Sequence, residues 1–183
     1  MPNLFDVRNK VAIITGGIGQ LGRQYSKALL ESGAKVAVFD INTKDKNAYF
    51  IFQKDNPALR FYKTDITRKK EIRESLRATV NDFGKPSILI NNAALDAPPG
   101  DSIKENGPFE TYPEESLDKV MAVNLKAMII VSQVVGGFMA ENGGGSIINI
   151  SSIYGNVSPD QRIYAYRAKK GKPFFKPVSY AVS

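Results

Sequence analysis

Val11 to Gly22 reads VAIITGGIGQLG. Its first five residues, through Thr15, are apolar and largely β-branched, the composition of a strand covered on both faces. Glycines follow at 16, 17, 19 and 22. Leu21, Tyr25, Ala28 and Leu29 then recur at helical spacing until Gly33 ends the run. Lys35 to Asp40 (KVAVFD) is a second strand that finishes on an acid. A glycine pattern carries meaning in this setting of strand, turn, helix, strand and terminal acid. Without Cβ atoms such a turn lets backbone N–H groups approach a pyrophosphate at the positive end of the following helix. The stretch therefore implies a dinucleotide site.

Downstream the alternation continues. Arg60 to Thr64 reads as a third strand, and Arg68 to Phe83 as a helix with Ile72, Leu76 and Val80 in one stripe and Gly84 closing it. Ser87 to Asn91 is a fourth strand and Ser146 to Ser151 a fifth. Between them Glu114 to Glu141 is one long helix with Leu117, Val120, Met121, Met128 and Val131 along a face. Thr43 to Lys54 also reads as helical, though polar and poorly capped. The stretch from Asp96 to Pro113, rich in Pro, Gly and charge, follows the carboxyl end of a strand, where ligands bind in open α/β sheets; it suits a substrate loop and a plain surface loop equally. The expected fold is α/β, a doubly wound parallel sheet in a single Rossmann-type domain over residues 1–183.

With 183 residues, 43% of them apolar, the chain can fill one core. It contains no cysteine and no histidine, which excludes disulfides and thiolate chemistry and removes the commonest acid/base and metal ligand. No metal site is expected, and catalysis would fall to Tyr, Ser, Lys, Asp or Glu. The sequence has no unbroken run of about 18 apolar residues, and Met1 to Lys10 carries charges where a signal peptide is apolar. The expectation is a cytoplasmic protein with no membrane partner. Of the net charge of +7, six units come from Arg162, Arg167, Lys169, Lys170, Lys172 and Lys176, with no acid after Asp160. One local basic segment without a nucleic-acid motif does not predict a nucleic-acid partner.

These motifs, in this order, resemble the short-chain dehydrogenase/reductase family over essentially the whole chain. They are the turn from Thr15 to Gly22, Asp40, Asp65, NNAA at Asn91 to Ala94, Asn124 in the long helix, NISS at Asn149 to Ser152, and Tyr180. The turn departs from the family's TGxxxGxG because Gln20 takes the middle glycine position; it fits TGxxGxxG through Gly16, Gly19 and Gly22. The resemblance implies cofactor contacts from Gly16, Gly17, Gly19, Gln20 and Leu21 at the pyrophosphate. It places Asp40 and Ile41 at the ribose, Asp65 and Ile66 at the adenine, and Asn92, Ala93 and Ala94 as backbone support. A carboxylate at position 40 accepts hydrogen bonds from ribose hydroxyls and repels a 2′-phosphate, so NAD is favoured over NADP, with Lys44 and Lys46 near enough to soften the preference; an acid at a strand end that caps the next turn is the plain alternative. Ala94 stands where the family usually has glycine.

For chemistry, the resemblance implies hydride transfer between nicotinamide and a secondary alcohol or ketone. Ser152 would bind the carbonyl oxygen, with Ser151 its neighbour, and Tyr180 would act as acid and base. Asn124, a polar amide on an apolar stripe, would hold a relay water; a backbone-bonded amide is the plain alternative. The family's lysine four residues after the tyrosine would fall at position 184, past Ser183, so the chain is expected to be C-terminally truncated, with the sheet incomplete on that side. Such a sheet would expose an edge carrying Ile147, Ile148 and Ile150. Ser152 and Tyr180 are 28 residues apart, farther than in the family, and the insertion mixes the basic cluster with Tyr164, Tyr166, Phe174 and Phe175. That suggests an anionic small-molecule substrate, and the insertion and glycine variant are similar to members associated with bacterial surface-sugar synthesis. The apolar long helix resembles the family's dimer face, implying a homo-oligomer when full length. Two function classes remain open: an NAD-dependent oxidoreductase, and a dinucleotide-binding module without catalysis.

Overall fold

A computed structural model describes residues 5–42, 56–96, 105–168 and 174–183. The helix expected from Thr43 to Lys54 lies outside the described residues. In order the elements are β1 (Val11–Thr15), α1 (Gln20–Glu31), β2 (Lys35–Asp40), β3 (Leu59–Lys63), α2 (Lys69–Phe83), β4 (Pro86–Asn91), α3 (Glu114–Glu141), β5 (Ser146–Asn149) and α4 (Val178–Val182). Contacts divide the chain into two compact units, Met1–Ala93 with Ala127–Ile150, and Ala94–Lys126 with Ser151–Ser183.

The first unit is a five-stranded parallel sheet in the order β3-β2-β1-β4-β5 with helices on both faces, the expected doubly wound arrangement. Register aligns Ile14 with Val38 and Ile90, and these pack with Val36 and Leu59 against Tyr25, Leu29 and Leu30 of α1. One residue along, Ile13, Ala37 and Leu89 are fully buried on the opposite face, because successive strand residues point to opposite sides. Strands buried on both faces are apolar throughout, which is why VAIIT and KVAVF were legible as strands.

Three elements differ from expectation. On α2 the buried line runs through Ile72, Ser75, Leu76, Thr79 and Phe83, while Val80 is only half-buried. Polar groups can sit there because the Ser75 and Thr64 hydroxyls bond each other at 2.7 Å and Thr79 Oγ1 donates to the Ser75 carbonyl at 2.8 Å. On α3 the buried residues are Ala127, Val131, Val135 and Met139, spaced by four; Leu117, Val120, Met121 and Met128 are half-buried. That helix contains two π-helical stretches, Ala122–Ala127 and Ser132–Gly136, whose wider turns shift the face that a 3.6-residue period projects. Its most apolar 18-residue window has a mean hydropathy of 1.6 and is 17% buried, so by length and composition alone it could cross a membrane. Lastly, β5 ends at Asn149, leaving Ser151 and Ser152 beyond the strand. Ile147 and Ile148 are exposed on this edge as expected, but Ile150 packs against the α1-side core.

The second unit begins with the residues after Ala93. Within it lie three short 3-10 turns, Phe109–Thr111 in the stretch read equally as a substrate or a surface loop, then Ile153–Gly155 and Gln161–Arg167. Helix α4 packs on the first turns of α3 and on the Ile153–Gly155 turn. Tyr112 and Ser179 share a hydroxyl bond of 2.7 Å, and Phe175 N–H donates to the Asn106 carbonyl at 2.9 Å.

Candidate active site

The glycine turn is held by contacts from β2 and from the residues just after β4. Gly16 has φ +62°, and its N–H donates to the Phe39 carbonyl on β2. A Cβ at Gly16 would lie 2.7 Å from the Ala93 Cα; one at Gly17 would strike the Val38 side chain; one at Gly22 would overlap the Gly16 carbonyl. Glycine is thus required at 16, 17 and 22 by packing. Gly19 is less constrained, its Cβ meeting only the Gly16 oxygen at 3.2 Å.

The NNAA motif braces this turn. Asn92 Nδ2 donates to the carbonyls of Thr15 and Gly16, both at 3.0 Å, while Thr15 Oγ1 accepts the N–H groups of Asn92 and Ala93 at 3.0 and 3.1 Å. Asn92 and Ala93 therefore act on the turn itself. Thr15 is 1% exposed, and its double acceptance was not foreseen, since nothing local in sequence pairs residues so far apart. Asn91 Nδ2 bonds Ser132 Oγ and Asn149 Oδ1, tying β4 to α3 and β5.

The cradle fits an anion. The first amides of α1, at Gln20 and Leu21, precede any intrahelical acceptor, Gly19 supplies no side-chain cap, and no acid lies in the first turn. The glycines leave space that Cβ atoms would fill. Asp40 stands beside it: Oδ2 accepts the Ile18 N–H from the turn at 3.1 Å, and Oδ1 accepts the Asn42 N–H at 2.9 Å. The capping role and the position at the turn coexist, because an ionised carboxylate has about four acceptor sites and these bonds use two. Ile41 next to it is 65% exposed. Lys44 and Lys46 lie outside the described residues.

After β3, Asp65 accepts the N–H and hydroxyl of Thr67 on Oδ1 and pairs with Arg68 at 3.3 Å through Oδ2. Its carboxyl is held below the usual range, first by the Thr67 hydroxyl and further by the Thr67 N–H and Arg68, with burial opposing. Ile66 is buried. Both residues lie at the carboxyl end of β3, the end at which the glycine turn leaves β1.

The second unit gathers the expected catalytic residues. Asn124 lies in the first π-helical stretch of α3, with Oδ1 accepting the Leu95 N–H at 2.7 Å and Nδ2 donating to the Leu95 carbonyl at 3.1 Å. Nδ2 also donates to Ser183 Oγ at 2.9 Å, at the end of α4. The amide is therefore bonded to the Leu95 backbone, and it ties α3 to the tyrosine-bearing helix. Ser152 Oγ accepts the Tyr154 N–H at 3.2 Å and caps the Ile153–Gly155 turn. The Tyr154 ring meets Tyr180 edge to face, centroids 6.4 Å apart. Tyr154 also accepts a hydrogen bond from Tyr164 Oη at 3.3 Å; burial, then this bond, pushes Tyr164 up to about 12.

Two members of this group were missed from sequence. They are Tyr154 and Lys176, whose Nζ sits 3.8 Å above the Tyr180 ring. A lysine four residues before the tyrosine was the available signal. The basic cluster is also less free than its sequence suggests: Arg162 pairs with Asp160 and Lys176 with Asp96. Arg167 stacks over Phe174 at 4.1 Å and has no ion pair among the described residues, while Lys169, Lys170 and Lys172 lie outside them. Among the described residues no group of acids could hold a metal ion.

A parallel α/β sheet with a braced glycine turn at the carboxyl end of β1 defines a dinucleotide-binding protein of the Rossmann class. The short chain dehydrogenase family profile matches residues 10–172, and the chain belongs to that family. It is 31% identical over 167 residues to an NAD-dependent glycerol dehydrogenase of Listeria innocua, covering 91% of this chain and 61% of that protein. It is 30% identical over 169 residues to a D-threitol dehydrogenase of Mycolicibacterium smegmatis, covering 91% and 62%. Among solved structures, a short chain dehydrogenase from Leptospira borgpetersenii with bound NAD+ superposes with a TM-score of 0.77 at 30% identity, over 96% of this chain and 60% of that one. The chain thus spans about three-fifths of the length of the relatives it matches.

Proposed function

We propose that this chain supplies the cofactor site and the acid/base residues of an NAD-dependent oxidoreductase acting on a secondary alcohol or ketone. The observation that carries the reading is the interlock of Gly16, Gly22 and Asn92, which opens the start of α1 to a pyrophosphate. Asp40, already bonded to the turn, keeps acceptor sites for ribose hydroxyls and sets NAD above NADP. A bound nicotinamide supplies or accepts the hydride. Tyr180 Oη gives a proton to the substrate oxygen in reduction or takes it in oxidation, and Ser152 Oγ donates to the same oxygen. Asn124 holds α4, and with it Tyr180, through Ser183.

Names of the relatives favour a polyol as substrate. Arg167, a cation with no acidic partner among the described residues, favours one that also carries negative charge. The exposed Leu125 and Ile129 on α3 favour self-association through that helix.

NADH and NADPH titrations by fluorescence, followed by NAD reduction with glycerol and threitol, test the reading. The wild type binds NADH more tightly than NADPH, and Asp40→Ser narrows that preference by about tenfold, or ~1.4 kcal/mol. Tyr180→Phe keeps NADH affinity within about twofold and lowers turnover by at least about a hundredfold. Binding without turnover in any protein carrying this chain would instead identify a dinucleotide-binding module.

A further inference from the structure

Lys176 is an unusual lysine. Its side chain is only 13% exposed, yet it belongs to the basic segment that composition alone would place in solvent. Three groups hold it. Nζ donates to both oxygens of Asp96, at 2.6 and 2.7 Å. The Gln161 side chain clasps its backbone, with the Lys176 N–H donating to Oε1 at 2.8 Å and the Lys176 carbonyl accepting from Nε2 at 3.5 Å. Pro177, the next residue, is the N-cap of α4 and is itself buried. The ammonium so fixed lies 3.8 Å from the centroid of the Tyr180 ring, well inside the distance at which a cation is drawn to an aromatic face.

We propose that Lys176 is a positioning residue for Tyr180: the Asp96–Lys176 pair presses a cation on the ring face and, with the edge contact from Tyr154, fixes the ring plane and the direction of Oη. The inference rests on the reading of Tyr180 as the proton-transferring group. A phenol has two side-chain torsions to lose, and proton transfer needs its oxygen within hydrogen-bond reach of the reacting atom. Asp96 neutralises the lysine and so allows it to be buried, while the delocalised ring electrons take up the remaining field. The aliphatic stem alone does not do this. Loss of the charge frees the ring even when the volume of the side chain is kept.

The test uses the whole chain labelled with 3-fluorotyrosine and observed by fluorine NMR, with the Tyr180 resonance assigned by its loss in Tyr180→Phe. In Lys176→Met, which keeps the stem and removes the charge, the Tyr180 resonance shifts and the Tyr25 and Tyr62 resonances in the sheet unit do not; the latter two report that the protein is folded. Lys176→Arg restores the wild-type position. Asp96→Asn, which releases the lysine without touching its packing, shifts the same resonance and serves if Lys176→Met does not fold. With glycerol or threitol and NAD, kcat falls about tenfold in Lys176→Met with KM within about twofold, and Lys176→Arg recovers it. An unmoved Tyr180 resonance in Lys176→Met or Asp96→Asn overturns the proposal. Shifted Tyr180 resonances in Lys176→Met and Asp96→Asn, together with a wild type that never turns over, leave the positioning role intact and overturn the oxidoreductase reading instead.

Discussion

A methyl group at position 22 overlaps the Gly16 carbonyl and lies 2.6 Å from the Gly17 Cα and 2.9 Å from Asn92 Nδ2. All three neighbours are parts of the cradle, so they cannot yield separately. Gly22→Ala therefore costs about 1–3 kcal/mol of stability, as overpacking of a tight site does, and raises the NADH Kd steeply. Gly19→Ala, with a single 3.2 Å contact, costs less on both counts. Calorimetric melting and NADH titration of the two variants check this, and equal losses would show that the brace is not what discriminates them. The need for glycine was legible in the sequence as spacing, but its cause was not. Thr15 and Asn92 are 77 residues apart, and only the pairing of β1 with β4 brings them together. At Asp40 the sequence left a cap and a ribose acceptor as alternatives; the bonds to Asn42 and Ile18 show why position alone could not separate them.

At the scale of elements, period predicts a face well where the helix is regular and neighbours are apolar, and less well elsewhere. On α2 the stripe ran to Val80 because Ser75 and Thr79 look like solvent residues; Thr64, just past β3, bonds the Ser75 hydroxyl, and the Ser75 carbonyl accepts from Thr79, so both can be buried. On α3 each π-helical stretch rotates the face, and the buried line through Ala127, Val131, Val135 and Met139 follows. Val135→Ala, at a fully buried site, is expected to cost about 1–3 kcal/mol. Ile129→Ala, at a site 46% exposed, stays within about 0.5 kcal/mol in dilute protein. Urea denaturation of both measures the difference. The start of α2 carries a pH dependence as well. Asp65 has a folded pKa lowered chiefly by Thr67, so it favours the folded state at pH values above the unfolded carboxylate value of about 3.9 and ceases to as pH falls through its lowered folded value. The melting difference between wild type and Asp65→Asn is then constant from pH 7 to 5 and closes below about pH 4, with a size of at most about 1 kcal/mol at this exposure. A difference that widens toward acid would assign the interaction to another group.

For the molecule as a whole, the alternation of strands and helices was legible because each period is local, whereas the grouping into two contact units was not. Residues 94–126 and 151–183 are far apart in the chain and meet through Asn124 with Ser183, Tyr112 with Ser179, and Asp96 with Lys176. Net charge is likewise a property of the whole. The chain carries +7, and several cations, among them Arg8, Arg68, Arg162 and Lys176, already have acidic partners. Pairing cancels their local fields without removing the excess, so on the proposed reading the positive potential of this chain would draw in an anionic dinucleotide. Its reach is set by salt, with a screening length of about 10 Å at 0.1 M and about 3 Å at 1 M. The bonds proposed to hold a pyrophosphate would act over hydrogen-bond distances and be screened far less. Stopped-flow fluorescence should therefore show the NADH association rate falling by roughly threefold to tenfold between 0.02 and 0.5 M NaCl, while the dissociation rate changes by less than about twofold. If the dissociation rate instead carries the salt dependence, the cations act as direct contacts to the phosphates and not through the net field.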